Sequence, residues 1–144
     1  MQAFGLGVPL HVAFDGMHEL RIATRWNDFD ALGHLNHAVY HVYCDEARDA
    51  ALRATVGDFD AWPNVVAHAS VDYRREIALG TREVVIRTRI AEVGRSSVRF
   101  EHDVGDGAAT VTAVLVAWDP ETRRSRPITD AERDSLTIEP VVAP

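Results

Sequence analysis

Two carboxylates, two imidazoles, a glycine and two asparagines are concentrated between Arg25 and His37, in the sequence RWNDFDALGHLNH. Asp28 and Asp30 could each act as a nucleophile or as a general base on a water molecule. Asn36 is of a type that caps a helix N-terminus, because its side-chain oxygen accepts a hydrogen bond from an amide two or three residues further on. The free amides of a helix N-terminus stabilise developing negative charge. The segment therefore has the groups needed to attack a carbonyl and to stabilise an oxyanion.

In this interpretation Asp30 is the reactive carboxylate, and the backbone amide of His37, just after the cap, polarises the carbonyl. Gly33 supplies the permissive backbone that brings the loop and the start of the helix together. The same residues also have a purely structural interpretation, because Asp and Asn form turns and caps in many loops. Residue types alone do not separate the two.

A metal site is a rival interpretation of the same segment. His34, His37 and His41 are spaced by three and four residues, and with a neighbouring aspartate they could bind a metal ion. A structural role for these histidines is favoured, because His34 precedes the predicted helix and no His-Glu-x-x-His pattern occurs. We therefore expect no metal and no other cofactor.

The elements on either side of this segment follow from hydrophobic periodicity. Apolar and charged side chains alternate from Met17 to Trp26, which predicts a half-buried strand. Asn36 to Ala54 predicts a helix, with Arg48 and other charged residues largely away from its apolar stripe. That stripe is rich in alanine, so a sheet could approach it closely; it comprises Val39, Tyr43, Ala47, Ala50 and Ala54.

The remainder of the chain predicts antiparallel strands. Their apolar runs are Val65–Tyr73, Val84–Ile90, Val98–Val104 and Thr110–Trp118. The last run is apolar on both faces, so we expect it at the centre of the sheet. Asp106-Gly107 predicts a hairpin turn, and Thr129 predicts the cap of a short helix that ends at Leu136.

Together these elements predict an α+β fold in which an antiparallel sheet is wrapped around one long helix. The helix covers only one face of a single sheet, and we expect another subunit to cover part of the other face. The chain is therefore predicted to form a homodimer or a dimer of dimers. We place one domain at residues 17–137, between an N-terminal tail (1–16) and a C-terminal tail (138–144).

Composition narrows the functional classes. The 144 residues include 22 acidic and 15 basic side chains, and the net charge of −7 argues against nucleic acid or an anionic membrane as the main partner. All basic residues are arginines, which excludes lysine Schiff-base chemistry. The single cysteine, Cys44, cannot form an internal disulfide and is expected to be a small core residue. With no secretory signal or apolar span evident, we expect a cytoplasmic protein.

The segment from Asp28 to His37 resembles the signature Asp-x-Asp-x-x-Gly-His-Val-Asn-Asn of hotdog-fold acyl-CoA thioesterases of the 4-hydroxybenzoyl-CoA thioesterase type. The resemblance continues through Tyr43 and the Glu-Ala-Arg motif that ends at Arg48. Further matching motifs extend it over nearly all of residues 17–136; they are Val71-Asp-Tyr73, Gly80, Val93 to Ser97, Asp106-Gly107 and Arg124 to Pro127.

The resemblance implies hydrolysis of an acyl-CoA, with Asp30 as the catalytic carboxylate, the amide at position 37 on the thioester carbonyl, and His34 in support. A thiolate leaves readily, because thiols have a pKa of about 8.5, so no strong acid is needed. The site would lie at a dimer interface, so residues near Ser96 would approach Asp30 of the partner. Candidate substrate contacts are Phe29, Tyr40, His68, Tyr73, Arg95, Ser96 and Ser97.

Several alternatives remain open at this point. The chain could bind acyl-CoA without hydrolysing it, or its substrate could be carried by acyl carrier protein. A hydratase is disfavoured, because the Asp and His spacing differs from the one expected for it. Arg74 and Arg75, or the cluster Arg123, Arg124 and Arg126, could contact coenzyme A phosphates or could form a solvated surface. His37 in place of the usual Asn, and Phe29 in place of a smaller residue, leave the acyl group unpredicted.

Overall fold

The structure is a computed structural model that describes residues 11–12, 17–57 and 62–137. Its strands and helices, in chain order, are β1 (His11–Val12), β2 (His18–Ala23), α1 (Val39–Thr55), β3 (Asn64–Tyr73), β4 (Glu83–Val93), β5 (Ser97–Val104), β6 (Ala109–Asp119), β7 (Arg124–Ser125) and α2 (Asp130–Thr137). A 3-10 helix, Trp26–Asp28, follows β2. Among these residues no helix is both long enough and apolar enough to span a membrane.

All strand pairs are antiparallel, and the sheet has the order β1-β2-β4-β5-β6-β3, with β7 extending from β6. The last apolar strand was predicted at the centre of the sheet; β6 is internal, flanked by β5 and β3, but it is next to the edge and not at the centre. The predicted N-terminal tail, 1–16, needs a correction: its residues His11 and Val12 form β1, which pairs with the otherwise open edge of β2. The rest of that tail and the tail at 138–144 lie outside the described residues.

Helix α1 lies against one face of the sheet and contacts β2, β4, β5 and β6. This arrangement confirms the predicted α+β fold. The buried face of α1 includes Tyr43, Ala47 and Ala51, and Cys44 is buried among them as predicted. Ala54, by contrast, is exposed. The buried face is thus rotated from the predicted stripe, and a charged residue lies within it.

That charged residue is Arg48, which is only 5% exposed and was predicted to lie away from the apolar stripe. Its Nη1 lies 3.2 Å from Nε2 of His102 on β5, and His102 Nδ1 lies 2.8 Å from Oγ1 of Thr88 on β4. An arginine can only donate, so Nε2 accepts and Nδ1 carries the proton that Thr88 accepts. Burial, with Arg48 adding to it, lowers the pKa of His102 to about 3, so the imidazole is neutral.

Two local predictions are confirmed by backbone geometry. Asp106 and Gly107 have φ values of 52° and 83° in the turn between β5 and β6, as the hairpin prediction requires. At the start of α2, the Glu132 amide donates to Oγ1 of Thr129 over 3.2 Å, and the Thr129 amide donates to the Glu132 carboxylate over 2.9 Å. This reciprocal pair is a capping box.

Candidate active site

The chain leaves β2 earlier than predicted. The strand ends at Ala23, and the 3-10 helix replaces its expected continuation to Trp26. The Arg25 amide donates to Oδ2 of Asp28 over 2.9 Å, which folds the backbone into this tight turn. As a result the Trp26 side chain, predicted to face the core, is 79% exposed.

Asp28 points into the protein and is only 3% exposed. The Tyr43 hydroxyl donates to its Oδ2 over 2.5 Å, and the Arg25 guanidinium lies 3.3 Å from its Oδ1. Burial on its own would raise the pKa of Asp28, but the hydrogen bonds from Tyr43 and Arg25 outweigh burial and lower it. Asp28 is therefore an anion that fastens the loop to α1.

Asp30 faces the opposite way, toward His34. The Asp30 amide donates to the His34 carbonyl and the Gly33 amide donates to the Asp30 carbonyl, both over 3.0 Å. Gly33 has a φ of +80°, a conformation that strongly favours glycine. The Leu32 amide donates to Oδ1 of Asp30 over 3.0 Å, and Nδ1 of His34 lies 3.2 Å from Oδ2. The loop thus holds a carboxylate and an imidazole in contact.

The prediction that Asn36 is the helix N-cap is wrong in position, because α1 begins at Val39 with Ala38 at its N-cap. Asn36 forms a turn immediately before the helix instead. Its Oδ1 accepts from the Ala38 amide over 3.0 Å, and its carbonyl accepts from the Val39 amide over 2.9 Å. Its own amide donates to the Asp28 carbonyl over 2.9 Å. The side chain still satisfies the second amide after it, which is the function of a cap.

His37 is the residue of this turn with an unused donor. Its carbonyl accepts from the Tyr73 hydroxyl over 2.9 Å. Its amide donates no hydrogen bond to any group in the described parts of the chain. Backbone amides are obligatory donors, so an unpaired N–H in an otherwise bonded turn is available to an acceptor from outside the chain.

A cavity of about 360 Å³ opens beside this turn; it is lined by His34, Leu35, His37, Tyr40, Tyr73, Arg74, Arg75 and Glu76. The rings of Tyr40 and Tyr73 meet edge to face, with centroids 5.0 Å apart. Four predicted site residues are thus brought together: His34, His37, Tyr40 and Tyr73. Asp30 does not line the cavity and reaches it through His34. Leu35 and Glu76 were not predicted as site residues, although each is adjacent in the chain to a predicted candidate.

Other predicted substrate contacts lie elsewhere within one chain. Phe29 lines a different cavity, of about 450 Å³, and His68 is exposed on the edge strand β3. Arg95 and Ser96 lie in the connection between β4 and β5, with Ser97 at the start of β5. Ser97 is opposite Val116 of β6, whereas Tyr73 is opposite Ala109, seven residues away along the same strand. At 3.4 Å per residue, the level of Ser97 is about 24 Å along β6 from the level of Tyr73. Ser97 is therefore far from the cavity of its own chain.

The two groups of arginines differ in their surroundings. Arg74 donates to Oγ1 of Thr110, and Arg75 donates to the Gly105 and Asp106 carbonyls over 2.6 and 2.8 Å. Neither is ion-paired with a carboxylate in the described structure. In the other group Arg126 binds Glu132 through two contacts of 2.7 Å, and none of its three arginines lines the cavity. Arg74 and Arg75 are therefore the cations that line the cavity without an acidic partner.

His34 and His37 line the same cavity, but His41 does not. His41 is exposed on α1, and in the regions that the structure describes no group of three or more His, Cys, Asp or Glu side chains is arranged to hold a metal ion.

Comparison with known proteins identifies the family. Residues 24–136 match the thioesterase-like superfamily, so the chain belongs to that superfamily. It is similar to a thioesterase from Thermus thermophilus, solved with coenzyme A and zinc, at 36% identity over 83% of this chain and 97% of the other, with a TM-score of 0.74. No match is found among curated proteins.

Two further solved structures are similar. A predicted thioesterase from Bacillus stearothermophilus is 26% identical over 83% of this chain and 93% of its own, with a TM-score of 0.75. A thioesterase superfamily protein from Jannaschia sp. CCS1 is 26% identical over 85% and 82%, with a TM-score of 0.73. The fold is the hotdog fold, as the motif resemblance implied, and the protein is a thioester hydrolase.

Proposed function

We propose that this protein hydrolyses acyl-CoA thioesters to a free carboxylic acid and coenzyme A. The observation that carries the proposal is the unpaired amide of His37 on the wall of a cavity that also contains His34, with Asp30 directly behind it. The choice of coenzyme A as carrier is supported by the complex of the Thermus thermophilus thioesterase with that molecule. Membership of the 4-hydroxybenzoyl-CoA thioesterase type is part of this proposal and rests on the sequence motif.

In the proposed reaction the thioester carbonyl oxygen accepts a hydrogen bond from the His37 amide. A water molecule attacks the carbonyl carbon, and negative charge develops on that oxygen, where the amide stabilises it. When the tetrahedral intermediate collapses, the C–S bond breaks and coenzyme A leaves as a thiolate. The amide lowers the activation barrier because the charge that it stabilises exists mainly in the transition state.

The proton of the attacking water passes to the Asp30–His34 pair. In the tautomer with the proton on Nδ1 of His34, that N–H donates a hydrogen bond to Asp30 Oδ2 over 3.2 Å. The lone pair of Nε2 is then free to take the proton of the attacking water. Direct nucleophilic attack by Asp30 would need its carboxylate on the cavity wall, where His34 lies. The arrangement therefore favours general-base catalysis.

We further propose that the active form is a homodimer joined along β3. This strand is an edge of the sheet, and its residues from Asn64 to Val71 include no Asp, Glu, Lys or Arg. Val65 and Val66 are exposed on it. An exposed, uncharged edge strand is a template for pairing with another strand. A partner would also be needed to bring residues such as Ser96 and Ser97 near the cavity.

A panel of acyl-CoAs tests the proposal: short, medium, long, branched and aromatic acyl groups, each assayed for release of free thiol. We expect turnover of at least one group, with acid and thiol released in equal amounts. Binding of acyl-CoA without release of thiol from any member would support the non-hydrolytic binder instead. Hydrolysis confined to acyl carrier protein thioesters would show that the proposed carrier is wrong.

A further inference from the structure

We propose that Tyr73 is a positioning residue for catalysis: its hydroxyl fixes the turn that presents the His37 amide to the thioester carbonyl. This inference rests on the proposed function and assigns to Tyr73 a task other than substrate contact. The observation that motivates it is the 2.9 Å hydrogen bond from the Tyr73 hydroxyl to the His37 carbonyl, which joins the end of β3 to the turn before α1.

The hydrogen bonds of the turn show why this one matters. The Asn36 amide, carbonyl and side chain and the Ala38 amide all have partners on the loop or at the start of α1. Those partners tie the turn to its own neighbours in sequence. Among the described residues, Tyr73 is the one that bonds this turn to a strand of the sheet. The His37 amide lies in the same peptide plane as the Asn36 carbonyl, which the Val39 amide holds, and the His37 carbonyl lies in the next plane. Bonding that carbonyl to Tyr73 therefore restricts the two His37 torsions that set how the amide is presented.

Tyr73 is itself well held for this purpose. Its backbone pairs with Ala109 in the β3–β6 ladder, and its ring packs edge to face on Tyr40, which is buried. The hydroxyl therefore projects from a fixed ring. Tyr73 is nevertheless 48% exposed, so water could replace its hydroxyl on the His37 carbonyl at little cost in stability. Loss of the hydroxyl should therefore affect the geometry of the turn more than the stability of the fold.

This role differs measurably from that of a residue that only lines the acyl pocket. A pocket residue contributes to binding of substrate and transition state alike, so its loss raises KM and leaves kcat nearly unchanged. A residue that aligns an oxyanion donor acts mainly in the transition state, so its loss lowers kcat. Small misalignments are sufficient, because a displacement of about 1 Å can cost about a hundredfold in rate.

The test is Tyr73→Phe, which removes the hydroxyl and keeps the ring. We expect kcat to fall about tenfold or more, with KM within about twofold of the wild type and a thermal midpoint that hardly changes. Thr55→Val is the matched control. It removes a hydroxyl-to-carbonyl bond of 3.0 Å, from Thr55 to Ala51 at the other end of α1, and should change neither constant.

Amide NMR gives a second reading that does not depend on activity. In Tyr73→Phe the amide signals of His37 and Ala38 should shift or broaden, while those of the β4–β5 connection stay in place. An unchanged kcat, a rise in KM without a fall in kcat, or unchanged His37 signals would each overturn the inference. None of these results would argue against thioester hydrolysis itself. If the wild type hydrolyses no thioester, the proposed function fails, and the amide signals alone decide whether Tyr73 orders the turn.

Discussion

The hydroxyl of Tyr43 lies 2.5 Å from Oδ2 of Asp28, and both side chains are almost completely buried. This contact fastens the candidate active-site loop to the face of α1 that packs on the sheet. Asp30, only two residues further along, turns the other way and contacts His34. The two carboxylates of the motif thus have separate tasks: Asp28 holds the loop, and Asp30 is left for chemistry.

Replacement of either partner in the Tyr43–Asp28 bond should lower stability. Tyr43→Phe leaves a buried carboxylate without one of its donors, which costs about 1–3 kcal/mol of unfolding free energy. Denaturant unfolding of Tyr43→Phe and Asp28→Asn measures this loss. We expect both variants to keep most of their kcat at temperatures where they are folded. Full stability combined with a large loss of kcat in Asp28→Asn would instead assign Asp28 to the chemistry.

The His37 amide can be tested apart from the His37 side chain. His37→Ala keeps the N–H, so we expect kcat to change by less than about threefold, whereas His37→Pro removes it and should lower kcat about 10²–10³-fold. Because that N–H has no partner in the described structure, proline breaks no hydrogen bond of the fold. Steady-state kinetics on folded protein, checked by circular dichroism, makes the comparison. Equal activity of the two variants would refute the oxyanion role.

Arg75 provides a prediction about substrate binding. It lines the cavity and has no acidic partner in the described structure, so an anionic group of the substrate could bind to it. We expect Arg75→Gln to raise KM for acyl-CoA about three- to tenfold, with an effect that shrinks as salt is added. Arg53→Gln, at an exposed ion pair on α1, is the control and should leave KM alone. If Arg75→Gln has the wild-type KM at low salt, Arg75 does not bind the substrate and is a solvated surface residue.

Glu132 provides a prediction about pH. Its hydrogen bonds from Arg126 lower its pKa to about 2, helped by those from Thr129 and opposed by burial. The folded-state pKa is depressed, so this stabilisation is present above about pH 4.5 and is lost as the pH falls toward 2. Urea unfolding should show Glu132→Gln to be less stable than the wild type at pH 7, with the difference shrinking between pH 4.5 and 2. Glu121→Gln, at an exposed position, is the control for removal of a surface carboxylate.

Local sequence patterns were sufficient to predict much of this molecule. Alternating apolar residues predicted β3 to β6, Asp106-Gly107 predicted a turn with two positive φ angles, and Thr129 predicted the cap of α2. Each of these signals lies within a few residues of the structure that it produces. The motif resemblance predicted the fold, although the catalytic role of Asp30 remains a prediction.

Features that depend on distant contacts were not predictable. Arg48 is buried because His102, 54 residues away, accepts its hydrogen bond, and periodicity alone assigns an arginine to the surface. Helix α1 begins at Val39 and not at the predicted Asn36, because a turn with its own hydrogen bonds precedes the helix. The contact of Tyr73 with His37 likewise joins residues 36 apart in the sequence.

The central claim is that Asp30 supplies the carboxylate for thioester hydrolysis, and Asp30→Asn tests it most directly. The assay is free-thiol release from the best acyl-CoA substrate, with Asp49→Asn, at an exposed ion pair of α1, as the control for loss of a surface carboxylate. The account predicts that kcat falls about 10²–10⁴-fold in Asp30→Asn, with KM and the unfolding midpoint close to those of the wild type. Hydrolysis at the wild-type rate by folded Asp30→Asn would contradict it.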